Sequence, residues 1–430
     1  MWGGVLEEAK QLCRLGGLGI LLHARGMDTY RQLEAFIQTF GARPATSERE
    51  RRAREYLARQ LQAHGVKTVM QPFHSVPSLT LPWLTVALLF ALSGALVWLT
   101  HSGWLQGGAA LGSLTACALY WGLISGRWDV MRLFPKRESA NLIGIVPARE
   151  QTLHQIVLMA HIDTQRATLL WHPRLVRRFG QNFTIQTVLL GLHGLGALGW
   201  LAHLLLQNPA LHPPFLKPDY LLIGARWLML PGSLLSLWGI VVLLHRELVL
   251  DWVQGANDNG SGVAVVLSLL MELARQPLAH VEVWGVFTGC EEVGMPAGAF
   301  AFEREYGWQL RDASFLIIDH VGLGGARYLI AEGMLPRAHA HPEMIAWMQS
   351  LANAHPEWSL QPSAVPPGAY TDALPLLIKG YRAIALWCEQ QPGIPPHWHW
   401  ITDVLEHVNP SDLERVRVIV RTALETAPIR

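Results

Sequence analysis

The chain has 430 residues, of which half are hydrophobic and only 16% are charged. This length and hydrophobic content exclude a disordered chain, a coiled coil and a small disulfide-bonded fold. The charged fraction is also low, since soluble domains usually carry about 25% charged residues. The net charge of +1 gives no indication of a nucleic acid partner. The chain is therefore a large globular protein, a membrane protein, or a combination of the two.

Two long stretches of the chain are almost free of charge. Thr68–Gly126 has no Asp, Glu, Lys or Arg, and Phe179–His245 has three such residues. Each stretch holds two apolar segments of about 20 residues, enough to cross about 30 Å of hydrocarbon as a helix. The four segments are Leu81–Thr100, Trp104–Ile124, Ile185–Leu206 and Tyr220–Leu244. We therefore predict an integral membrane protein with two transmembrane helical hairpins and the lipid bilayer as a partner.

Basic residues predict the orientation of these hairpins. Only Lys217 and Arg226 lie in or beside the loops inside the hairpins. The outer flanks carry nine cations, which are Lys67, Arg127, Arg132, Lys136, Arg137, Arg174, Arg177, Arg178 and Arg246. The positive-inside rule places these flanks, and the domain that contains them, on the cytoplasmic face. The short run Leu15–Leu22 follows two glutamates and does not resemble a cleaved signal peptide.

Outside the hairpins, candidate strands alternate with candidate helices. The strands are Asn141–Val146, Gln155–Ala160, Val281–Thr288, Phe315–Asp319, Arg327–Ala331 and Ala383–Cys388. The helices are Ser47–His64, Gly262–Arg275, Pro342–Ala354 and Pro410–Thr426, and the proline-rich linker Gln207–Asp219 predicts a loop. This alternation predicts an α/β fold with a mixed, mostly parallel central sheet covered by helices on both faces. Segments 1–76, 127–180 and 247–430 would form this domain, with the hairpins 77–126 and 181–246 inserted in it.

Polar side chains follow three of the candidate strands. His161 follows the strand that ends at Ala160, a Glu291-Glu292 pair follows Thr288 after a Gly-Cys step, and Asp319 ends a third strand. Ligand sites in such sheets lie at the carboxyl ends of the strands, so we expect these groups to meet in one crevice. Carboxylates gathered there repel one another unless a cation neutralises them. Carboxylates and imidazoles without thiolates suit zinc or another divalent metal.

The order of these motifs is similar to that of the family-28 metallopeptidases, a group of dinuclear zinc aminopeptidases and carboxypeptidases. The shared motifs are His161-Ile162-Asp163, Asp258-Asn259-Gly260-Ser261-Gly262, Glu291-Glu292, Asp319, and His399 four residues before Asp403. The resemblance starts at Phe40-Gly41-Ala42-Arg43-Pro44 and covers roughly Tyr30–Pro72 and Ala140–Pro410, without the second hairpin. It implies a zinc-peptidase-like fold and a peptide substrate.

The resemblance also implies five ligands for two zinc ions, or for other divalent metals. These are His161 and Asp319 for one ion, Glu292 and His399 for the other, and Asp258 as the bridge between them. Glu291 would act as the general base toward a metal-activated water. Asp163 would orient His161 through a hydrogen bond from its carboxylate, and Asp403 would do the same near His399.

Some assignments within this resemblance stay open. His397 competes with His399 as the last ligand, because both lie in Pro396–Trp400. Tyr370 and Asp372 belong to a segment that resembles the family's substrate loop, and the Tyr370 hydroxyl could lie near the oxyanion. His320 and the remaining histidines have no partner pattern, so we expect surface or capping roles for them, although His320 lies next to a proposed ligand and could also approach the substrate.

These observations predict a membrane-anchored dinuclear zinc exopeptidase that hydrolyses peptide bonds, with an aminopeptidase as the first choice over a carboxypeptidase or dipeptidase. One alternative is an inactive relative that serves as a membrane scaffold. Another is a glutaminyl-cyclase-like acyl transfer at a single zinc. The sequence leaves the side-chain preference and the oligomeric state open.

Overall fold

The computed structural model of the protein describes residues 28–207 and 218–428. The predicted N-terminal features, including Leu15–Leu22, and nearly all of the predicted loop Gln207–Asp219 lie outside the described residues.

The described chain alternates strands and helices, as predicted. The helices are α1 (28–40), α2 (Glu48–Ala63), α3 (Thr80–Leu99), α4 (Gly103–Ser125), α5 (Phe179–Leu206), α6 (Pro218–Leu248), α7 (Gly262–Arg275), α8 (Ala297–Tyr306), α9 (Pro342–Ala354), α10 (Leu374–Ile378) and α11 (Pro410–Glu425). The strands are β1 (Lys67–Ser75), β2 (Arg137–Val146), β3 (His154–His161), β4 (Val281–Thr288), β5 (Ser314–Ile318), β6 (Gly325–Glu332), β7 (Ala338–His339), β8 (Gln361–Ala364) and β9 (Arg382–Glu389).

The nine strands form one mixed sheet in the order β1-β2-β4-β3-β5-β9-β6-β7, with β8 beside β6. The central strands β4, β3, β5 and β9 are parallel, and so are β6 and β8. The other four pairings in the described chain are antiparallel, so the sheet is mixed, as predicted, but half of all these strand pairings, rather than most of them, are parallel. The periodicity of a strand indicates that it is extended but carries no information on its direction.

The first hairpin explains one of these antiparallel pairings. β1 ends at Ser75, which pairs directly with Arg137 at the start of β2. The helices α3 and α4 occupy the connection between these two residues. Since the hairpin leaves and returns at one place, β2 has to run back along β1, as in any β-hairpin.

Helices cover both faces of the sheet. Gly144 of β2 faces α2 and α7, because a Cβ on it would meet Leu61 and Leu270 at 3.0–3.3 Å. Asn141, three residues earlier in β2 and therefore on the opposite face, donates a hydrogen bond to the backbone oxygen of Gly298 in α8 at 2.8 Å. The two-sided α/β arrangement predicted from the sequence is confirmed.

The helices α3, α4, α5 and α6 are each long and apolar enough to cross a membrane. They pack as a group in which α3 contacts α4 and α6, and α5 contacts α4 and α6. Pro231 lies inside α6, which continues through it. At one end of the group Arg226 lies over the rings of Trp98 and Trp200, at 5.5 Å from each centroid.

The opposite end of this group adjoins the sheet. Thr80, at the start of α3, donates a hydrogen bond to Glu247 at the end of α6 at 2.5 Å. Arg246 donates to the Thr80 hydroxyl at 2.6 Å and is itself buried. These bonds connect the first hairpin (α3 and α4) to the second (α5 and α6). The second hairpin lies between His161 and Asp258 along the chain.

Candidate active site

The carboxyl ends of three parallel strands deliver the first groups of the site. His161 is the last residue of β3, which lies between β4 and β5. Asp319 directly follows β5, and the Glu291-Glu292 pair comes shortly after β4. The structure therefore brings together the strand-end residues that the sequence singled out, and all four are buried.

Together with Asp258, His320 and His399, the residues His161, Glu292 and Asp319 form a buried cluster of carboxylates and imidazoles, and Asp258 lies at its centre. Its Oδ1 is 3.2 Å from His161 Nε2, while its Oδ2 is 3.0 Å from both His320 Nε2 and His399 Nε2. Burial would raise the pKa of the Asp258 carboxyl, but the three histidines lower this pKa well below its ordinary value. One carboxylate thus faces three imidazoles from three different parts of the chain.

His320 is the residue that the sequence reasoning missed. It is buried, and its Nδ1 lies 2.9 Å from Asp319 Oδ1. The expectation of a surface or capping role is wrong, because a positive φ of +50° turns the backbone just after β5 and the side chain joins the cluster. The only sequence signal was an imidazole directly after a strand-end carboxylate.

The pKa values of Asp319 and His320 are strongly shifted in opposite directions. Burial would raise the pKa of Asp319, but His320 and His161 lower it to about 2. In return, the pKa of His320 lies well above its ordinary value despite burial, because Asp258 and Asp319 stabilise the imidazolium. Asp319 and His320 therefore each stabilise the charged form of the other.

Glu292 and His399 form the other side of the cluster. Their Oε2 and Nε2 atoms are 3.1 Å apart, and Gln165 Nε2 donates to the same Oε2 at 3.0 Å. Burial raises the pKa of Glu292 to about 7. The pKa of His399 rises to about 9, because Glu292 and Asp258 outweigh the effect of burial. The edge of the His399 ring contacts Trp171, with 4.4 Å between the ring centroids.

His397, the competing last ligand, lies elsewhere. Its Nδ1 is 2.7 Å from the Thr402 hydroxyl, and its ring stacks on His407 at 4.4 Å. Since these contacts turn the imidazole away from Asp258, the geometry favours His399 as the residue of this motif that belongs to the cluster.

Asp163 and Asp403 hold backbone segments of the site. The Asp163 carboxylate accepts hydrogen bonds from the amides of Glu291 and Glu292 at 2.9 and 3.0 Å. The Asp403 carboxylate accepts in the same way from the amides of Asn257 and Asp258 at 2.7 and 3.0 Å. Each aspartate therefore fixes a different loop of the cluster, Asp163 the loop of Glu291 and Glu292 and Asp403 the loop of Asp258.

This finding changes the predicted way in which His161 is oriented. The carbonyl oxygen of Asp163 lies 3.0 Å from His161 Nδ1, whereas the nearest carboxylate oxygen is 3.8 Å away. The Asp163 carboxylate has its hydrogen bonds with the Glu291 and Glu292 amides instead. The orienting group is thus the backbone of Asp163, which motif spacing alone cannot distinguish from its side chain.

Arg43, from the opening motif, connects two of the loops. Its buried guanidinium donates to the carbonyl oxygens of Ile162 at 2.7 Å and of Gln254 and Gly255 at 3.0 Å. Burial lowers the pKa of Arg43 to about 10. Gly255 has a φ of +65°, and a Cβ there would lie 2.3 Å from Thr164, so only glycine fits this close approach.

Tyr370 and Asp372 lie beside the cluster. The Tyr370 hydroxyl donates to the backbone oxygen of Glu291 at 3.4 Å. Asp372 accepts a hydrogen bond from Thr288 at the end of β4, at 2.5 Å, and burial raises its pKa to about 7. Glu332 holds the intervening Thr371 through both its amide and its hydroxyl.

Glu291 faces the same cavity as the cluster. Burial raises the pKa of Glu291 well above its ordinary value, and Glu292, Asp372 and Asp319 raise it further, while His161 opposes them. A carboxylate in this position has a high affinity for a proton, which is the property of a general base.

The donor set of the cluster fits one or more divalent cations. Two groups of residues could each hold an ion, and both include Asp258. The first consists of Asp258, His320 and His399, and the second of His161, Asp258 and Glu292. Several buried atoms of the site have no hydrogen bond within the described chain: both oxygens of Asp258, Glu292 Oε1, Asp319 Oδ1, both nitrogens of His320, and His399 Nδ1. His320 Nε2 and Asp258 Oδ2 approach to 3.0 Å without the geometry of a hydrogen bond. Lone pairs that converge in this way are typical of metal ligands.

A cavity of about 490 Å³ opens over the cluster and is lined mainly by apolar atoms. It continues from Glu291 and His399 past Trp171 to residues of α3, α5 and α6. The site is therefore placed where the sheet meets the four apolar helices.

The sequence model described as Peptidase family M28 matches residues 242–424. This segment contains Asp258, the Glu291-Glu292 pair, Asp319 and His399, whereas His161 and Asp163 precede it. No curated protein sequence matches the chain.

Solved structures share the fold over nearly the whole chain. An aminopeptidase from Aneurinibacillus sp. strain AM-1 has a TM-score of 0.52 at 13% identity, covering 94% of this chain and 93% of that one. A glutaminyl cyclase from Bacteroides thetaiotaomicron, bound to N-acetylhistamine, has a TM-score of 0.51 at 15% identity, with coverages of 94% and 98%. A Zn-dependent exopeptidase from Parabacteroides distasonis has a TM-score of 0.50 at 13% identity, with coverages of 93% and 98%. At such identities the likeness concerns the fold alone.

Proposed function

We propose that this protein is a membrane-anchored, dinuclear zinc exopeptidase of family M28 that acts as an aminopeptidase. The observation that carries the proposal is the convergence of three histidines and two further carboxylates, Glu292 and Asp319, around Asp258, next to the buried Glu291. The family match to residues 242–424 and the zinc exopeptidase among the similar folds support it.

The five proposed zinc ligands are His161, Asp258, Glu292, Asp319 and His399, and His320 joins them as a candidate. Bound zinc supplies Lewis acidity toward the scissile carbonyl and lowers the pKa of a water molecule. Glu291 takes the proton of that water on a carboxylate oxygen and delivers it to the nitrogen of the leaving amine. The amide bonds to Asp163 hold Glu291 and Glu292 in fixed relative positions.

Charge supports an amino-terminal specificity. The cavity is lined by Asp258, Asp319 and the Glu291-Glu292 pair, and Arg246 is the only lysine or arginine of the described chain along it. Arg246 already bonds to Glu247 and Gln165. With zinc bound, Asp258, Asp319 and Glu292 would serve as ligands, so Glu291 is the carboxylate left to attract a free ammonium group, and a free substrate carboxylate would find no unpaired lysine or arginine among the described residues that line the cavity.

Two measurements on the purified protein test this function. Elemental analysis should give two zinc ions per chain, and no bound zinc would favour an inactive scaffold. A peptide panel with free and blocked termini should show cleavage only when the amino terminus is free. Cleavage that needs a free carboxyl terminus instead would replace the aminopeptidase with a carboxypeptidase.

A glutaminyl-cyclase-like acyl transfer is the second candidate, since a glutaminyl cyclase is among the similar folds. Both metal groups described above share Asp258, which is compatible with occupation by a single ion. A peptide that starts with glutamine separates the two functions. Cyclisation releases ammonia and leaves the chain length unchanged, whereas an aminopeptidase releases free glutamine.

The basic flanks support a catalytic domain on the cytoplasmic face. Each hairpin begins and ends toward the catalytic domain, as expected for hairpins that enter and leave on one side. These points are the starts of α3 and α5 and the ends of α4 and α6. Tags at both termini should resist external protease in intact cells and be cleaved after permeabilisation. Cleavage of both tags in intact cells would reverse the orientation.

A further inference from the structure

The cavity over the catalytic cluster extends deep between the apolar helices. Its lining residues run from Phe179 to Leu190 on α5 and from Leu235 to Arg246 on α6. At 1.5 Å per residue, each stretch is about 16 Å long. This length is roughly half of the 30 Å hydrocarbon core of a bilayer, or the depth of one leaflet.

The cavity is mainly apolar between the helices, and the polar side chains that α4 and α5 contribute, Tyr120, Asn182 and Gln186, lie in the parts of these helices nearest the cluster. On α3 it is lined by Trp83, Val86, Ala87 and Phe90, and between residues 235 and 243 of α6 the only polar side chain apart from the indole of Trp238 is Ser236. The Ser236 hydroxyl already donates to the backbone oxygen of Gly232 at 2.8 Å. A peptide backbone placed along these helices would leave N–H and C=O groups without partners, which is costly in an apolar setting. A hydrocarbon chain has no such groups.

The cavity also reaches the outer surface of the helices. Ile185 of α5 and Trp238 of α6 line it, and each is 56% exposed. In a bilayer both side chains would face lipid, so a chain that enters beside them passes from one hydrocarbon medium to another. Val86, Leu190 and Val242, which also line the cavity, are buried within the helices.

From these observations we infer that the substrate is an amphiphilic amide, an inference that rests on the proposed function. Its scissile bond lies at the Asp258 cluster, and a linear hydrocarbon chain attached beside that bond lies between α3, α5 and α6. Water adds across the C–N bond, so the products are a carboxylic acid and an amine, one of which keeps the hydrocarbon chain.

Gly239 offers a way to block the chain without touching the cluster. It lines the cavity, and a Cβ added to it would have no heavy atom within 4 Å. Gly239→Phe should therefore fill the apolar part with little strain. Gly224, on the same helix, is also open but does not line the cavity, so Gly224→Phe is the matched control.

The first test uses the full chain in nanodiscs with leucyl-alkylamides of four, eight, twelve and sixteen carbons. Partition into the bilayer is the same for every variant, so the ratio of kcat/KM between the wild type and Gly239→Phe isolates the cavity. We expect a ratio near one for the butylamide and at least tenfold for the hexadecylamide, with Gly224→Phe unchanged throughout. A ratio that is equal at all lengths would overturn the inference while leaving the peptidase activity intact.

The second test does not depend on turnover. A leucyl-hexadecylamide with a diazirine in its chain is photolysed on the zinc-depleted protein, and adducts are mapped by mass spectrometry. Adducts are expected at Val86, Leu190 and Val242, with loss of these adducts in Gly239→Phe. Adducts confined to outward residues such as Leu92 and Leu237, which are 59% and 52% exposed and outside the cavity, would overturn the inference even if peptides are cleaved.

Discussion

Gln165 donates a hydrogen bond from Nε2 to Glu292 Oε2 at 3.0 Å. The side-chain oxygen of Gln165, Oε1, accepts a hydrogen bond from Arg246, at the end of α6, at 2.5 Å. One side chain thus connects a proposed zinc ligand to the last turn of an apolar helix. Because Arg246 also donates to Thr80 at the start of α3, both hairpins act on the position of Glu292.

Replacing Gln165 should weaken metal binding without removing a ligand. In Gln165→Leu, Glu292 loses the hydrogen bond that fixes its carboxylate, and we expect zinc affinity to fall roughly 10–100-fold. Competition with a chelator measures this change. Gln155→Leu is the control, since Gln155 donates a similar bond to Glu282 at 2.8 Å near the amino-terminal end of β3, away from the cluster. Equal affinities in both variants would contradict a role for Gln165.

The adjacent glutamates should separate metal binding from catalysis. Glu291→Gln should keep its zinc and lower kcat by about 10²–10⁴-fold, because it removes the proton acceptor only. Glu292→Gln should lose zinc, because it removes a ligand. Zinc content and steady-state rates measured on the same preparations compare the two variants. Full activity in Glu291→Gln would sink the assignment of the base.

His320 should behave as part of the metal site. His320→Ala removes the imidazole that lies 3.0 Å from Asp258, so we expect loss of zinc and of activity. His397→Ala is the matched control, because His397 contacts Thr402 and His407 instead. Elemental analysis of both variants gives the answer. A His320→Ala protein with a full zinc content and normal rates would place His320 outside the functional site.

Glu332 should make the fold less stable as the pH rises. Burial raises the pKa of Glu332 in the folded protein to about 8, against an ordinary value of 4.5. The folded state then binds more protons than the unfolded state between these values, so the free energy of unfolding falls as the pH rises through this window. Each pKa unit corresponds to about 1.4 kcal/mol.

Glu332→Gln removes this titration and should raise the midpoint of thermal unfolding at pH 8 relative to the wild type, with little difference at pH 5. The exposed Glu138 of β2 provides the control variant Glu138→Gln, which should follow the wild type. A pH profile of Glu332→Gln that parallels the wild type would contradict the assignment.

The sequence predicted those features that depend on local pattern. The four apolar helices follow from the length of uncharged runs, and α7 and α9 have their predicted bounds. His161, Asp319 and the Glu291-Glu292 pair could be placed together because the carboxyl ends of neighbouring parallel strands must meet.

Features that depend on backbone direction escaped the sequence. β1 was not predicted, since Lys67–Ser75 merges into the uncharged run before α3 and its pairing with β2 spans the whole hairpin. His320 was missed because its position depends on a positive φ, and the predicted role of the Asp163 carboxylate belongs to its carbonyl oxygen. In each case the decisive quantity is a turn of the main chain, which residue identity specifies only weakly.

The direct pairing of Ser75 with Arg137 has a consequence for biosynthesis. With α3 and α4 in a bilayer, as proposed, the chain ends on either side of that hairpin emerge next to each other, so closing this long loop costs little extra entropy. The second hairpin likewise separates His161 from Asp258. Insertion of the two hairpins would therefore bring β1 next to β2, and the segment of His161 next to that of Asp258, before the rest of the sheet closes.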